Sequence, residues 1–85
     1  MEILLHPSFA KDFKKLEKGV RIKFVERKHI FEYDPFSPLL NNNPLHREFE
    51  GCRSINITGN YRAIFYIKEG VYVFIRIGTH AQLYG

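Results

Sequence analysis

The last ten residues, Arg76-Ile-Gly-Thr-His80-Ala-Gln-Leu-Tyr84-Gly85, bring an arginine, a histidine and a tyrosine directly after the most apolar strand pattern in the chain. Arginine holds a fixed fork of donors that fits phosphate oxygens, histidine changes charge near neutral pH, and tyrosine carries a ring and a hydroxyl. Together they suit phosphodiester chemistry at the end of a sheet. The same side chains also suit a solvated strand end closed by a packing tyrosine, and composition alone does not separate the two readings.

Charge points the same way as the terminal residues. The net charge of +4 and a pI near 9.4 favour acidic partners such as RNA, DNA, a ribosome or an acidic protein. Eight of the thirteen basic residues, Lys11, Lys14, Lys15, Lys18, Arg21, Lys23, Arg27 and Lys28, fall in one eighteen-residue stretch with only three acids, Asp12, Glu17 and Glu26. That stretch reads either as a footprint for a polyanion or as an ordinary solvated helix face.

The elements that must position these residues follow from patterning. At 85 residues the chain is expected to be one domain, residues 1–85, and its 45% hydrophobic and 15% aromatic content argues for a folded αβ or all-β unit. The lone Cys52 can form no internal disulfide, and neither a signal peptide nor an apolar run of membrane-spanning length is present. A reducing, cytoplasmic setting without membrane attachment is the expectation. Glu2 to His6 reads as a strand ended by Pro7, with Ser8 placed to cap a helix. Phe9, Phe13, Leu16 and Val20 recur at helical spacing opposite the stripe Lys11, Lys14, Lys15 and Lys18. Gly19 marks a break, and Arg21 to Tyr33 predicts a second helix, antiparallel to the first.

Turn formers from Asp34 to Asn43 predict a loop, followed by strands over Arg53–Ile57, Tyr61–Lys68 and Val71–Gly78 in a three-stranded antiparallel meander. If Gly59-Asn60 and Glu69-Gly70 are both two-residue turns, Asn56 lies opposite Ala63 and Ala63 opposite Arg76. One face then carries Asn56, Tyr61, Ala63 and Arg76. The other carries Ile55, Ile57, Ile64, Tyr66, Val73, Ile75 and Ile77, on which the helices pack. A bulge or a longer turn would transfer one strand's set to the other face.

Several chemistries lack their residues. His6, His29, His46 and His80 are far apart, with no metal-ligand spacing among them. No serine sits in a nucleophile elbow, Cys52 has no base beside it in sequence, and no phosphate-binding glycine loop or dinucleotide fingerprint supports a nucleotide cofactor. Neither a metal nor a small-molecule cofactor is expected.

The run Asn43-Pro-Leu, Glu50-Gly-Cys-Arg53, Asn60-Tyr-Arg-Ala-Ile-Phe-Tyr66, Arg76-Ile-Gly-Thr-His80 and Leu83-Tyr84-Gly85 resembles the RelE superfamily of toxins from bacterial and archaeal toxin–antitoxin modules, nearest its YafQ branch. The likeness spans nearly the whole chain in order and spacing, and the Gly78-Thr79-His80 ending is its most specific part. It implies an α+β fold with two N-terminal helices packed on one face of a small curved antiparallel sheet. It also implies ribosome-dependent endonuclease cleavage of mRNA and neutralisation by a cognate antitoxin.

Carried over by residue, the resemblance gives catalytic or substrate-contacting roles to Arg76, His80 and Tyr84, with Tyr61 at the place of another aromatic. The RelE pattern adds Arg62, although the face assignment above argues mildly against it. At positions where the YafQ branch has histidines and an aspartate, this chain carries Asn43, Asn56 and Asn60, which hold substrate by hydrogen bonds but exchange no proton near neutral pH. His46 is an alternative imidazole. Within this scheme Arg76 clamps the phosphate, His80 transfers the proton, Tyr84 and Tyr61 stack on bases, and the stripe Lys11, Lys14, Lys15 and Lys18 docks on ribosomal RNA. Two other readings use the same resemblance. One is a RelE-like binding protein that has lost turnover, and the other is a ParE-like gyrase inhibitor, against which the Gly78-Thr79-His80 ending speaks.

Overall fold

A computed structural model describes residues 1–85. In chain order it contains β1 (Glu2–Leu5), α1 (Pro7–Lys14), α2 (Lys18–Tyr33), β2 (Asn43–Pro44), β3 (Arg53–Asn56), β4 (Tyr61–Lys68), β5 (Val71–Thr79) and α3 (His80–Tyr84). Short 3₁₀ turns at Pro38–Leu40 and Arg47–Phe49 flank β2. The five strands form one sheet in the order β1-β5-β4-β3-β2. The α+β class and the helices packed on a sheet are as expected. The sheet is mixed, however, because β1 pairs parallel with β5, and the expected meander β3-β4-β5 is only its centre.

Local chemistry explains the helix ends. The N-cap of α1 is His6, not Ser8: the His6 ring nitrogen Nδ1 accepts from the Ser8 amide at 3.1 Å, and Pro7 occupies the first turn, where its missing N–H costs nothing. The break between helices falls at Lys15–Glu17, and Gly19 sits inside the first turn of α2. Ser8 is left to donate its hydroxyl across to the Ile75 carbonyl at 2.6 Å.

The core is largely aromatic. Phe9 of α1, Phe24 and Phe31 of α2, and Phe65 and Phe74 of the sheet are all buried, with Phe31 lying 5.0 Å from Phe65 and 5.3 Å from Phe74 between ring centroids. Leu16, Leu40, Ile55, Ile57, Ala63 and Ile77 complete it. Edge-to-face ring pairs of this kind contribute on the order of 1 kcal/mol beyond area burial.

Two registers differ from expectation by one residue each. The Glu69-Gly70 turn is the expected two-residue turn, with φ of 52° and 80° and Lys68 opposite Val71. At the other turn Thr58 bonds the amides of Asn60 and Tyr61 through its hydroxyl, at 3.2 and 3.1 Å, which lengthens the loop and puts Asn56 opposite Arg62 instead of Ala63. Between β4 and β5 the register shifts at Ile64/Phe65: Phe65 faces Phe74 while Ile64 faces Arg76, so Ile75 is bulged out and Ala63 meets Ile77 instead of Arg76.

These slips rebuild both faces. Ile55, Ala63 and Ile77 line up on the core face, joined by Phe65 and Phe74, whereas Tyr66, Val73 and Ile75 are only partly buried. Asn56, Arg62 and Gly78 line up on the opposite face. The expected polar row Asn56, Tyr61, Ala63 and Arg76 therefore does not exist: Ala63 is fully buried, and Tyr61 packs against the core.

Candidate functional site

Of the last ten residues, Arg76–Thr79 end β5 as expected, whereas His80–Tyr84 form the helix α3. Thr79 closes a reciprocal cap, its hydroxyl accepting from the Gln82 amide at 3.2 Å while Gln82 Oε1 accepts from the Thr79 amide at 2.9 Å. Gly78 is what lets the helix fold back, since a Cβ there would lie 2.9 Å from Gln82 Oε1 and 3.5 Å from Leu83. His80 and Tyr84 fall one turn apart on the same side of α3, with ring centroids 4.7 Å apart.

Two residues from elsewhere act on Tyr84. Phe49, delivered by the 3₁₀ turn after β2, meets the Tyr84 ring edge-on at 5.6 Å. Arg62 of β4 shares the face of Gly78, on which α3 rests, and acts electrostatically on Tyr84. Its Nη1 is anchored to the carbonyls of Thr58, Tyr61 and Gly59 at 3.0, 3.1 and 3.3 Å, which leaves Nε and Nη2 free to bind an anion. The expectation against Arg62 rested on the wrong register and is reversed. Burial pushes the Tyr84 phenol above its ordinary value of 10.0; the Arg62 charge pulls it down in part, and Glu48 pushes it further up. The phenol is thus a hydrogen-bond donor at neutral pH.

Arg76 and Tyr61 lie in a different place. Arg76 Nε donates to Asp12 Oδ2 of α1 at 2.7 Å, and the same oxygen accepts the Ile77 amide at 3.0 Å. Ser8 and Asp12 thereby satisfy the Ile75 carbonyl and the Ile77 amide that flank the bulge. Arg76 and Tyr61, with Asp12, Lys15 and Gln82, line a cavity of about 170 Å³ that includes neither His80 nor Tyr84.

The remaining expected residues are dispersed. Asn56 is half-buried opposite Arg62, whereas Asn60 is exposed at the β3–β4 turn. Asn43 is exposed on β2, its amide donating to the Asn41 carbonyl. His46 is the exposed N-cap of the turn that carries Phe49. Lys11, Lys14, Lys15 and Lys18 are exposed, and none of them forms an ion pair. Phe49 and Glu48 escaped sequence reasoning because an aromatic in a short irregular stretch carries no periodic signal.

The family model for the ParE toxin of type II toxin–antitoxin systems, parDE, matches residues 3–84. The chain belongs to this toxin family. No curated protein matches the toxin's sequence. Among solved structures, YafQ from E. coli is similar with a TM-score of 0.76 and 23% identity over 99% of this chain and 98% of that one. The YoeB/ParE toxin from Agrobacterium tumefaciens gives 0.78 and 19% identity over 94% and 99% of the two chains. The RelBE2 toxin–antitoxin complex from Mycobacterium tuberculosis gives 0.75 and 22% over 93% and 96%. The toxin therefore has the RelE/YafQ fold.

Other features bound the chemistry. No three His, Cys, Asp or Glu side chains gather as a metal-binding group. No helix is long and apolar enough to cross a membrane. Burial raises the Cys52 thiol above its ordinary 9.0, so it is not a thiolate at neutral pH.

Both raised groups bind their protons more tightly in the folded toxin, so they contribute stability that is present below the unfolded values of 9.0 and 10.0 and is lost as pH rises through the folded ones. Stability is therefore expected to decline above pH 9.0. Denaturant midpoints measured across pH should show the decline, with its upper part flattened in Tyr84→Phe.

Proposed function

We propose that this toxin is a ribosome-dependent endonuclease that cleaves mRNA at the cluster formed by Arg62, His80, Tyr84 and Phe49. The observation that carries the reading is that the Tyr84 phenol lies against the His80 imidazole on one side of α3 and within the field of Arg62, whose Nε and Nη2 have no partner within the protein. In the proposed step the ribose 2′-oxygen bonds to phosphorus and the bond to the 5′-oxygen breaks, giving a cyclic phosphate and a free 5′-hydroxyl. His80 accepts the 2′-hydroxyl proton. Arg62 stabilises the charge that develops on the phosphoryl oxygens, and Tyr84 donates toward the departing 5′-oxygen, which leaves with a proton. Phe49 and Tyr84 offer ring surface for the bases at the cleaved step, where stacking contributes about 1–3 kcal/mol per base.

Asn43, Asn56 and Asn60 cannot exchange protons, so the scheme relies on charge stabilisation and on His80, with Asn56 beside Arg62 as a hydrogen-bonding contact. The net charge of +4 and the free lysines Lys11, Lys14, Lys15 and Lys18 support docking on ribosomal RNA and, with it, action in the cytoplasm. The family membership supports a cognate antitoxin as the partner that restrains it. Incubating the purified toxin with translating ribosomes and mapping mRNA ends by primer extension tests the reading, with new ends at defined codons as the expected result.

The match to the ParE family model favours one second reading, inhibition of DNA gyrase, which needs no proton-transfer group. Loss of gyrase supercoiling with intact mRNA in the same preparation would replace the first reading with this one.

A further inference from the structure

The cavity where α1, β5 and α3 meet is lined by solvent-facing donors that have no partner within the protein. Arg76 uses Nε on Asp12, which leaves both terminal nitrogens free. Gln82 uses Oε1 on the Thr79 amide, which leaves its NH₂ free. The Lys15 ammonium forms no ion pair, and the Tyr61 hydroxyl has no partner in the protein. Against these the cavity supplies one carboxylate, Asp12, already shared by the Arg76 guanidinium and the Ile77 amide. The lining is therefore rich in donors with net positive charge, and at about 170 Å³ the cavity has room for an oxyanion.

We propose that this cavity is a second RNA contact, a seat for one backbone phosphodiester held by Arg76, Lys15, Gln82 and Tyr61. The proposal rests on the reading that the toxin acts on RNA. Gln82 lies about half a turn of α3 away from His80 and Tyr84, so the seat and the reactive cluster are on different sides of the same short helix. A strand passing α3 would be held at one phosphate while another is presented to Arg62. A polynucleotide fits better than an isolated carboxylate because Lys11 and Lys14 of α1, close to Lys15 in sequence, and Lys18 at the start of α2 are also exposed and unpaired, which suits repeated phosphates. The Tyr61 ring in the cavity wall adds a surface for a base. Asp12 is the positioning residue: by binding Nε it fixes the plane of the guanidinium and turns its two terminal nitrogens over to the ligand.

Gln82→Glu tests the seat with little disturbance of the fold. A glutamate at this position keeps the reciprocal cap with Thr79 but replaces free donors with a carboxylate. Binding of a fluorescein-labelled oligouridylate octamer is followed by anisotropy across a KCl series. Expected are a melting temperature unchanged in Gln82→Glu, an RNA affinity lowered about tenfold, and the same loss in Lys15→Gln with Arg76→Gln. In the latter variant the slope of log K against log[KCl] should also become shallower by about 0.7, the value for one single-strand phosphate. Unchanged affinity and slope in both folded variants would overturn the proposal. So would an octaglutamate peptide losing affinity for both variants while RNA binding stays constant, which would make the cavity a seat for an acidic peptide. The two readings fail separately: weakened RNA binding by the variants with no cleavage by the unaltered toxin supports the seat and removes the endonuclease. Cleavage that proceeds equally in the unaltered toxin and in Gln82→Glu, with equal RNA affinity, does the reverse.

Discussion

Replacing Arg62 with alanine is expected to slow mRNA cleavage about 10²–10³-fold, the usual cost of removing a preorganised donor from a charged transition state. The group is already aimed: Nη1 is held by the carbonyls of Thr58, Gly59 and Tyr61, so the free nitrogens need not be ordered during the reaction. Ribosome affinity should change little, because docking depends on the separate exposed lysines of α1 and the start of α2. The loss should therefore appear in the single-turnover rate at saturating ribosomes. Arg62→Lys should recover only part of the rate, since a point charge replaces a planar fork that can contact two oxygens. A rate in Arg62→Ala within threefold of the unaltered toxin would move the phosphate-stabilising role to Arg76, and Arg76→Ala would then show the large loss.

Replacing Phe74 with alanine is expected to cost about 3–5 kcal/mol of folding stability. Its ring is fully buried and lies within 6.0 Å of those of Phe9, Phe24, Phe31 and Phe65, so truncation opens a hole bounded by both helices and the neighbouring strand. For a chain of this size the loss is a large share of total stability, commonly about 5–15 kcal/mol. Urea unfolding should show a much lower midpoint, and Ile67→Ala serves as the control because that side chain is about half exposed. A loss below about 1.5 kcal/mol would mean that the surrounding phenylalanines close over the cavity.

The amino-acid sequence by itself determined the two N-terminal helices, the three central strands and the turn at Glu69-Gly70. Each of these is local chemistry: apolar residues at 3.6 or 2 residue spacing, prolines that cannot continue a strand, and a dipeptide able to adopt positive φ at both positions. The i,i+4 relation that brings His80 against Tyr84 is also written in the chain, although Thr79 had to cap a helix for it to take effect. Tertiary structure decided the rest, because the deciding contacts come from distant parts of the chain. Ser8 and Asp12 reach 67 and 64 residues across to the bulge at Ile75 and Arg76, and without that bulge Arg76 would face Ala63. The Thr58 hydroxyl takes two amides of the neighbouring turn and shifts β3 by one residue, enough to exchange its faces because side chains alternate with period two. Those two slips buried Ala63, brought Arg62 to Tyr84 and drew Arg76 into a cavity with Lys15 and Gln82. Residue types announced what chemistry was available; register, set by side chains of α1 and a single threonine, decided which residues share a site.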